Sequence, residues 1–117
     1  MKIFIEDSFD SAHWLPNVPK NHKCHALHGH TYKIRLEVSG KVGDTSGWVV
    51  DYADVKIMWE SVKVLVDHRC LNEIPLLENP TCEHLAMWMA GILKGSLPGI
   101  CRIEIRETER CGVSLDI

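Results

Sequence analysis

The sequence predicts an α+β fold: a four-stranded antiparallel sheet with two helices on one face, in the order ββααββ. Three observations predict it. Apolar and charged residues alternate with period two in segments near both ends of the chain. Two central stretches space their apolar residues as helices do. Turn-forming residues separate these segments, and no linker, repeat or low-complexity tract divides the 117 residues, so one domain spanning 1–117 is expected.

The elements follow in order. Ile3 to Phe9 is apolar-rich and suits a first strand. From Tyr32 to Val38, Ile34, Leu36 and Val38 point one way while Lys33, Arg35 and Glu37 point the other. Gly40 to Gly47 is turn chemistry, and Trp48 to Asp51 reads as a short extended piece. Ala53 to Val66 forms a helix with Val55, Trp59, Val62 and Val66 on its apolar stripe and Lys56, Glu60 and Lys63 opposite. A loop runs from Asp67 to Pro80. Thr81 can cap a second helix carrying Leu85, Trp88, Met89 and Ile92, which Pro98-Gly99 ends. Ile100 to Glu107 and Gly112 to Leu115 close the sheet. Such a sheet has two free edges, and closing several copies into a barrel would remove them, so an oligomer is expected.

Composition narrows the functional classes. A net charge of −3 argues against nucleic-acid binding. No stretch reaches transmembrane length, and Met1 to Asp7 lacks the apolar run of a signal peptide. No membrane association is therefore expected. Five cysteines, an odd number without a CxxC pair, suit reduced thiols and a cytoplasmic location. A domain of this size can fold without a structural metal, so a bound metal would serve chemistry.

Seven histidines are present, five of them between His13 and His30. His28 and His30 lie two apart on an extended segment and converge on one spot, with Gly29 between them adding no side chain. A first strand running antiparallel alongside would bring in His13. Three neutral imidazoles leave the fourth tetrahedral position open, as a catalytic zinc requires; the alternative is a set of solvated loop histidines. Cys24, four residues before His28, is a candidate base or nucleophile beside such a metal, or equally a ligand or an inert half-buried thiol. Asp67-His68 can pair an acid with an imidazole, although sequence neighbours usually point apart; a histidine at a helix C-terminus is the plainer reading. Glu107 can accept two parallel hydrogen bonds from a guanidine-like edge, or simply be a solvated strand end.

These segments form an ordered set: Ser8-Phe9-Asp10-Ser11-Ala12-His13, Cys24-His25-Ala26-Leu27-His28-Gly29-His30, Gly47 to Tyr52, Leu65-Val66-Asp67-His68, Leu71-Asn72, Glu78 to Glu83 and Arg106-Glu107-Thr108. The set resembles the 6-pyruvoyltetrahydropterin synthase and 6-carboxytetrahydropterin synthase family over nearly the full length. The resemblance implies that His13, His28 and His30 bind Zn2+, that Cys24 is the catalytic thiol and that Asp67 and His68 complete a proton relay. It also implies that Glu107 anchors a pterin ring in a pocket lined by Thr81 to Glu83, and that the chain forms a homohexamer of two stacked trimers. The implied substrate is 7,8-dihydroneopterin triphosphate. The short spacer between Cys24 and His28 looks like the bacterial 6-carboxy branch, whose product carries a carboxylate after loss of acetaldehyde and triphosphate and feeds 7-deazaguanine and queuosine synthesis. The 6-pyruvoyl branch eliminates triphosphate without cutting the side chain. A non-catalytic pterin-binding zinc protein and a structural zinc module are the readings from other classes. Lys20, Lys23 and Arg69 are candidate cations for the triphosphate.

Overall fold

The structure is a computed structural model that describes all 117 residues. Two long strands come first, β1 (Lys2–His13) and β2 (His28–Ser39). Helix α1 (Tyr52–Val66), strand β3 (Arg69–Cys70) and helix α2 (Cys82–Ser96) follow, and β4 (Ile100–Arg106) and β5 (Gly112–Asp116) end the chain. The sheet order is β3-β1-β2-β4-β5.

The expected four-stranded antiparallel sheet is therefore corrected to five strands, with β3 parallel to β1. The segment expected as a plain loop supplies the extra strand. Two residues cannot show alternation, so nothing in their pattern marks them. Instead the Ser11 hydroxyl, buried on β1, lies 2.8 Å from Val66 O and 2.7 Å from Arg69 O, shares its one proton between these carbonyls and fastens the chain alongside. The Trp48–Val50 stretch bends instead of extending.

β1 continues past Phe9 to His13, and β2 begins at His28, ahead of Tyr32. Polar residues interrupt the apolar pattern in these extensions, which hid them. The two strands pair without a register shift from Lys2↔Ser39 to His13↔His28. Odd residues of β1 and even residues of β2 face the helices. Phe9 and Tyr32 stack there at 5.0 Å, with Trp59 of α1 at 6.2 Å from Phe9.

The helices form where expected. Asp51 caps α1 by accepting from Ala53 N at 2.9 Å, and Thr81 caps α2 by accepting from His84 N at 3.2 Å. Val55, Trp59, Val62 and Val66 of α1 and Leu85, Met89 and Leu93 of α2 are buried against Leu36, Ile103 and Ile105. Each such side chain contributes about 1.5–3 kcal/mol by leaving water. Asp7 also faces this apolar side, where it accepts from Trp59 Nε1 at 2.7 Å and Lys63 Nζ at 2.8 Å, tying β1 to α1.

The molecule measures 58 × 24 × 19 Å, with a radius of gyration of 15.4 Å. A compact chain of this length would have about 13 Å. No helix is long and apolar enough to cross a membrane.

Candidate metal centre

The register of β1 and β2 builds the site. His13 stands directly opposite His28, and Ser11 opposite His30. His13, His28 and His30 share the helix-facing side with Phe9, Tyr32 and Ile34 because the alternation never slips. On the next strand Ile105 pairs with Ile34, so Glu107, two residues further, falls on the same side as Tyr32 and beside His30. Its backbone N–H donates to Cys111 O at 3.0 Å in the turn toward β5.

The ring nitrogens have defined roles. His13 Nδ1 lies 2.9 Å from Pro80 O, and His28 Nδ1 lies 2.7 Å from Ala26 O. A carbonyl oxygen only accepts, so in the neutral rings each Nδ1 carries the proton and each Nε2 offers a lone pair. Those two Nε2 atoms face each other at 3.0 Å. Two lone pairs at that distance repel unless a cation lies between or beside them. Burial, aided by the neighbouring histidines, outweighs the opposing pull of the Glu107 carboxylate and holds both His13 and His30 below the ordinary imidazole value, which favours the neutral rings.

A carboxylate completes the group. Glu107 Oε1 lies 2.8 Å from His30 Nε2 and 3.5 Å from His13 Nε2. Despite the short contact, His30 Nε2 is buried without a hydrogen-bond partner, so the carboxylate oxygen lies off its donor axis. The four donor atoms all lie within 4.8 Å of one another. Tetrahedral zinc with bonds near 2.0 Å separates its ligand atoms by roughly 3.3 Å. Opposed lone pairs, an orphaned ring nitrogen and a three-nitrogen, one-oxygen donor set all fit a divalent metal.

The remaining candidates lie outside this group of four donors. Cys24 lies half-buried on a one-turn 3-10 helix, Lys23–His25, whose Cys24 O accepts from Leu15 N at 2.8 Å. The loop bearing the thiol is thereby stitched to the end of β1, two residues beyond His13. Asp67 and His68 contact each other directly, with Oδ1 3.0 Å from Nδ1. This corrects the expectation that they point apart: His68 adopts a left-handed backbone (φ 56°), which turns its ring back toward Asp67. Both hang from Asp10, whose N–H donates to Asp67 Oδ1 at 3.0 Å and whose carbonyl accepts from His68 N at 2.7 Å. The Asp10 N–H, helped by His68 and Lys63, holds the Asp67 carboxyl below its usual value. His68 lines a shallow cleft together with His30, Gly29 and Arg69.

Thr81 spends its hydroxyl oxygen on capping α2, and Glu83 is exposed in the first turn. Lys20 and Lys23 are exposed in the loop before β2. Sequence reasoning missed three participants. The Pro80 and Ala26 carbonyls carry no side-chain signal. Tyr32, whose OH lies 3.3 Å from His13 Nδ1, reads as an ordinary strand residue; burial raises its pKa and keeps it protonated.

The sequence pattern of 6-pyruvoyl tetrahydropterin synthases matches residues 2–116 of this chain. The chain belongs to the 6-pyruvoyl tetrahydropterin synthase family. Among solved members of the family, the 6-pyruvoyl tetrahydropterin synthase of Caenorhabditis elegans superposes with a TM-score of 0.93 at 28% identity, covering 100% of this chain and 95% of that one. The dihydroneopterin monophosphate aldolase of Pyrococcus furiosus is 33% identical over 98% of this chain and 96% of its own length. The 6-carboxy-5,6,7,8-tetrahydropterin synthase of Synechocystis is 36% identical over 91% of this chain and 85% of its own.

Proposed function

We propose that this member of the 6-pyruvoyl tetrahydropterin synthase family is a zinc-dependent carbon-carbon lyase. It converts 7,8-dihydroneopterin triphosphate to 6-carboxy-5,6,7,8-tetrahydropterin, releasing acetaldehyde and triphosphate, in the route to 7-deazaguanines and queuosine. The observation that carries the metal reading is the pair of opposed Nε2 lone pairs on His13 and His28, 3.0 Å apart. The Synechocystis relative, matched over 91% of this chain, supports the choice of product.

Zinc held by His13, His28 and His30 supplies Lewis acidity toward the side-chain hydroxyls of the substrate. The Pro80 and Ala26 carbonyls fix the His13 and His28 tautomers and aim both rings. Cys24 removes a proton from the side chain as a general base. His68 exchanges a proton on the other side, with Asp67 orienting its ring and favouring the charged form. Glu107 accepts from the guanidine-like edge of the pterin, Thr81 to Glu83 border the ring, and Arg69, in the His30–His68 cleft, meets the triphosphate.

The protein assembles as a homohexamer whose active sites span subunits. Supporting this, β1 pairs with β3 only at Ser11 and Ala12, leaving its Lys2–Asp10 edge open, and β5 has neighbours on one side only. The elongated shape points the same way. Its five free thiols suit a cytoplasmic location.

The Pyrococcus relative motivates a second reading, an aldol cleavage that leaves a hydroxymethyl group on the pterin and a phosphorylated two-carbon aldehyde. One experiment separates the readings. Purified protein is incubated in parallel with 7,8-dihydroneopterin triphosphate and with the monophosphate, released aldehyde is trapped with a hydrazine, and the pterin is weighed by mass spectrometry. Acetaldehyde with a carboxypterin is expected. A three-carbon side chain without trapped aldehyde places the protein in the 6-pyruvoyl branch. A phosphorylated aldehyde with a hydroxymethylpterin makes it an aldolase.

A further inference from the structure

We propose that Glu107 is a fourth, exchangeable metal ligand, which closes the resting site and leaves the metal when a pterin ring arrives. This deepens the metal reading above and rests on it. Sheet register carries the inference first. Glu107 follows Ile103 and Ile105 on the helix-facing side of the sheet, and Ile105 is aligned with Ile34 of the strand that bears His28 and His30. That backbone position keeps the Glu107 side chain within reach of the histidines.

Geometry carries it further. Oε1 is 2.8 Å from His30 Nε2 and 3.5 Å from His13 Nε2, which are edge lengths of a tetrahedral donor set of roughly 3.3 Å. The oxygen lies off the His30 donor axis, leaving that buried nitrogen without a hydrogen bond. Donors that share a metal aim at a common centre rather than at one another. Two hydrogen-bonded side chains would be aligned, and these are not.

The same carboxylate cannot also offer both oxygens to a guanidine-like edge while it holds a metal. Its side chain is 27% exposed, so it has room to turn toward a ligand. Pterin recognition and the opening of the fourth position thus become one event. Pterin binding and full metal coordination are then antagonistic, and the coupling must be equal in both directions.

Cobalt(II) in place of zinc reports the donor set through its visible absorption. Three proteins are compared: wild type, Glu107→Gln and Glu107→Ala, with folding checked by circular dichroism. Both variants are expected to bind zinc at least about tenfold more weakly in chelator competition, and their cobalt spectra should differ from wild type. 6-Methylpterin, which lacks the side-chain hydroxyls, should move the wild-type spectrum toward that of Glu107→Ala and leave the variant unchanged. It should also bind metal-free wild type more tightly than the loaded protein. A wild-type spectrum indifferent to 6-methylpterin, or a Glu107→Gln protein matching wild type in zinc affinity and spectrum, overturns the proposal. His28→Ala distinguishes this failure from that of the metal reading: full metal content in His28→Ala removes the site itself, whereas its loss there beside an unaffected Glu107→Gln removes only the role of Glu107.

Discussion

His28→Ala and His30→Ala each delete one ring nitrogen from a set whose four donors lie within 4.8 Å of one another. Bound zinc should fall from about one ion per chain to a small fraction of that, measured by elemental analysis after gel filtration; wild-type content in both would refute the assignment. Cys24→Ala should behave differently, folding and retaining zinc while losing about a hundredfold or more in turnover; loss of zinc instead would make Cys24 a ligand. The metal-free protein should also be acid-sensitive. Burial holds His13 and His30 below the ordinary imidazole value, so the unfolded chain takes up protons first. Stability is then lost as pH falls through the imidazole range below about 6.5, visible as a declining urea midpoint. At this scale the three histidines were legible because HxH on an extended chain converges whatever surrounds it. Glu107 was legible as a chemically interesting carboxylate but not as a neighbour of His30. That contact depends on the pairing of Ile105 with Ile34 across strands distant in sequence. The left-handed turn at His68 had no signal either, since no glycine or asparagine marks it.

An acid, Asp7, ties strand β1 to helix α1. Burial opposes ionisation of Asp7, yet hydrogen bonds from Lys63 and Trp59 overcome it and hold the carboxyl below its usual value. Asp7→Ala should cost about 2–3 kcal/mol at neutral pH by leaving the Trp59 and Lys63 donors unpaired, read from chemical denaturation. Because the folded carboxyl is the stronger acid, its contribution is present above the unfolded carboxylate range near 3.8 and fades as pH falls below it. The variant's stability should therefore approach wild type toward pH 2. A gap independent of pH would show that packing alone explains the loss. Helices were read nearly to the residue because cap and stripe agree, as at Thr81 and Leu85. Strands were read short: Asp10 and Ser11 break the apolar pattern of β1, and Ser11 is buried to hold β3 rather than to join the core.

The whole chain is long and thin, with two strand edges that lack neighbours. Sedimentation should show an assembly of about six chains and little monomer at micromolar concentration. Mixing inactive Cys24→Ala with inactive His68→Ala chains should restore part of the activity if sites span subunits; a fully active monomer would refute the assembly. The antiparallel hairpin has one more consequence, for inheritance. The three clustered histidines sit on paired strands, where inserting one residue reverses every side chain beyond it. Cys24 sits on the loop between those strands, whose two ends are already pinned. A single glycine inserted between Ser8 and Phe9 should abolish metal binding, while the same glycine between Lys20 and Asn21 should spare it and alter only turnover. Under the proposed function, descendants of such a chain are free to vary the reach of the thiol while passing on an unaltered histidine cluster.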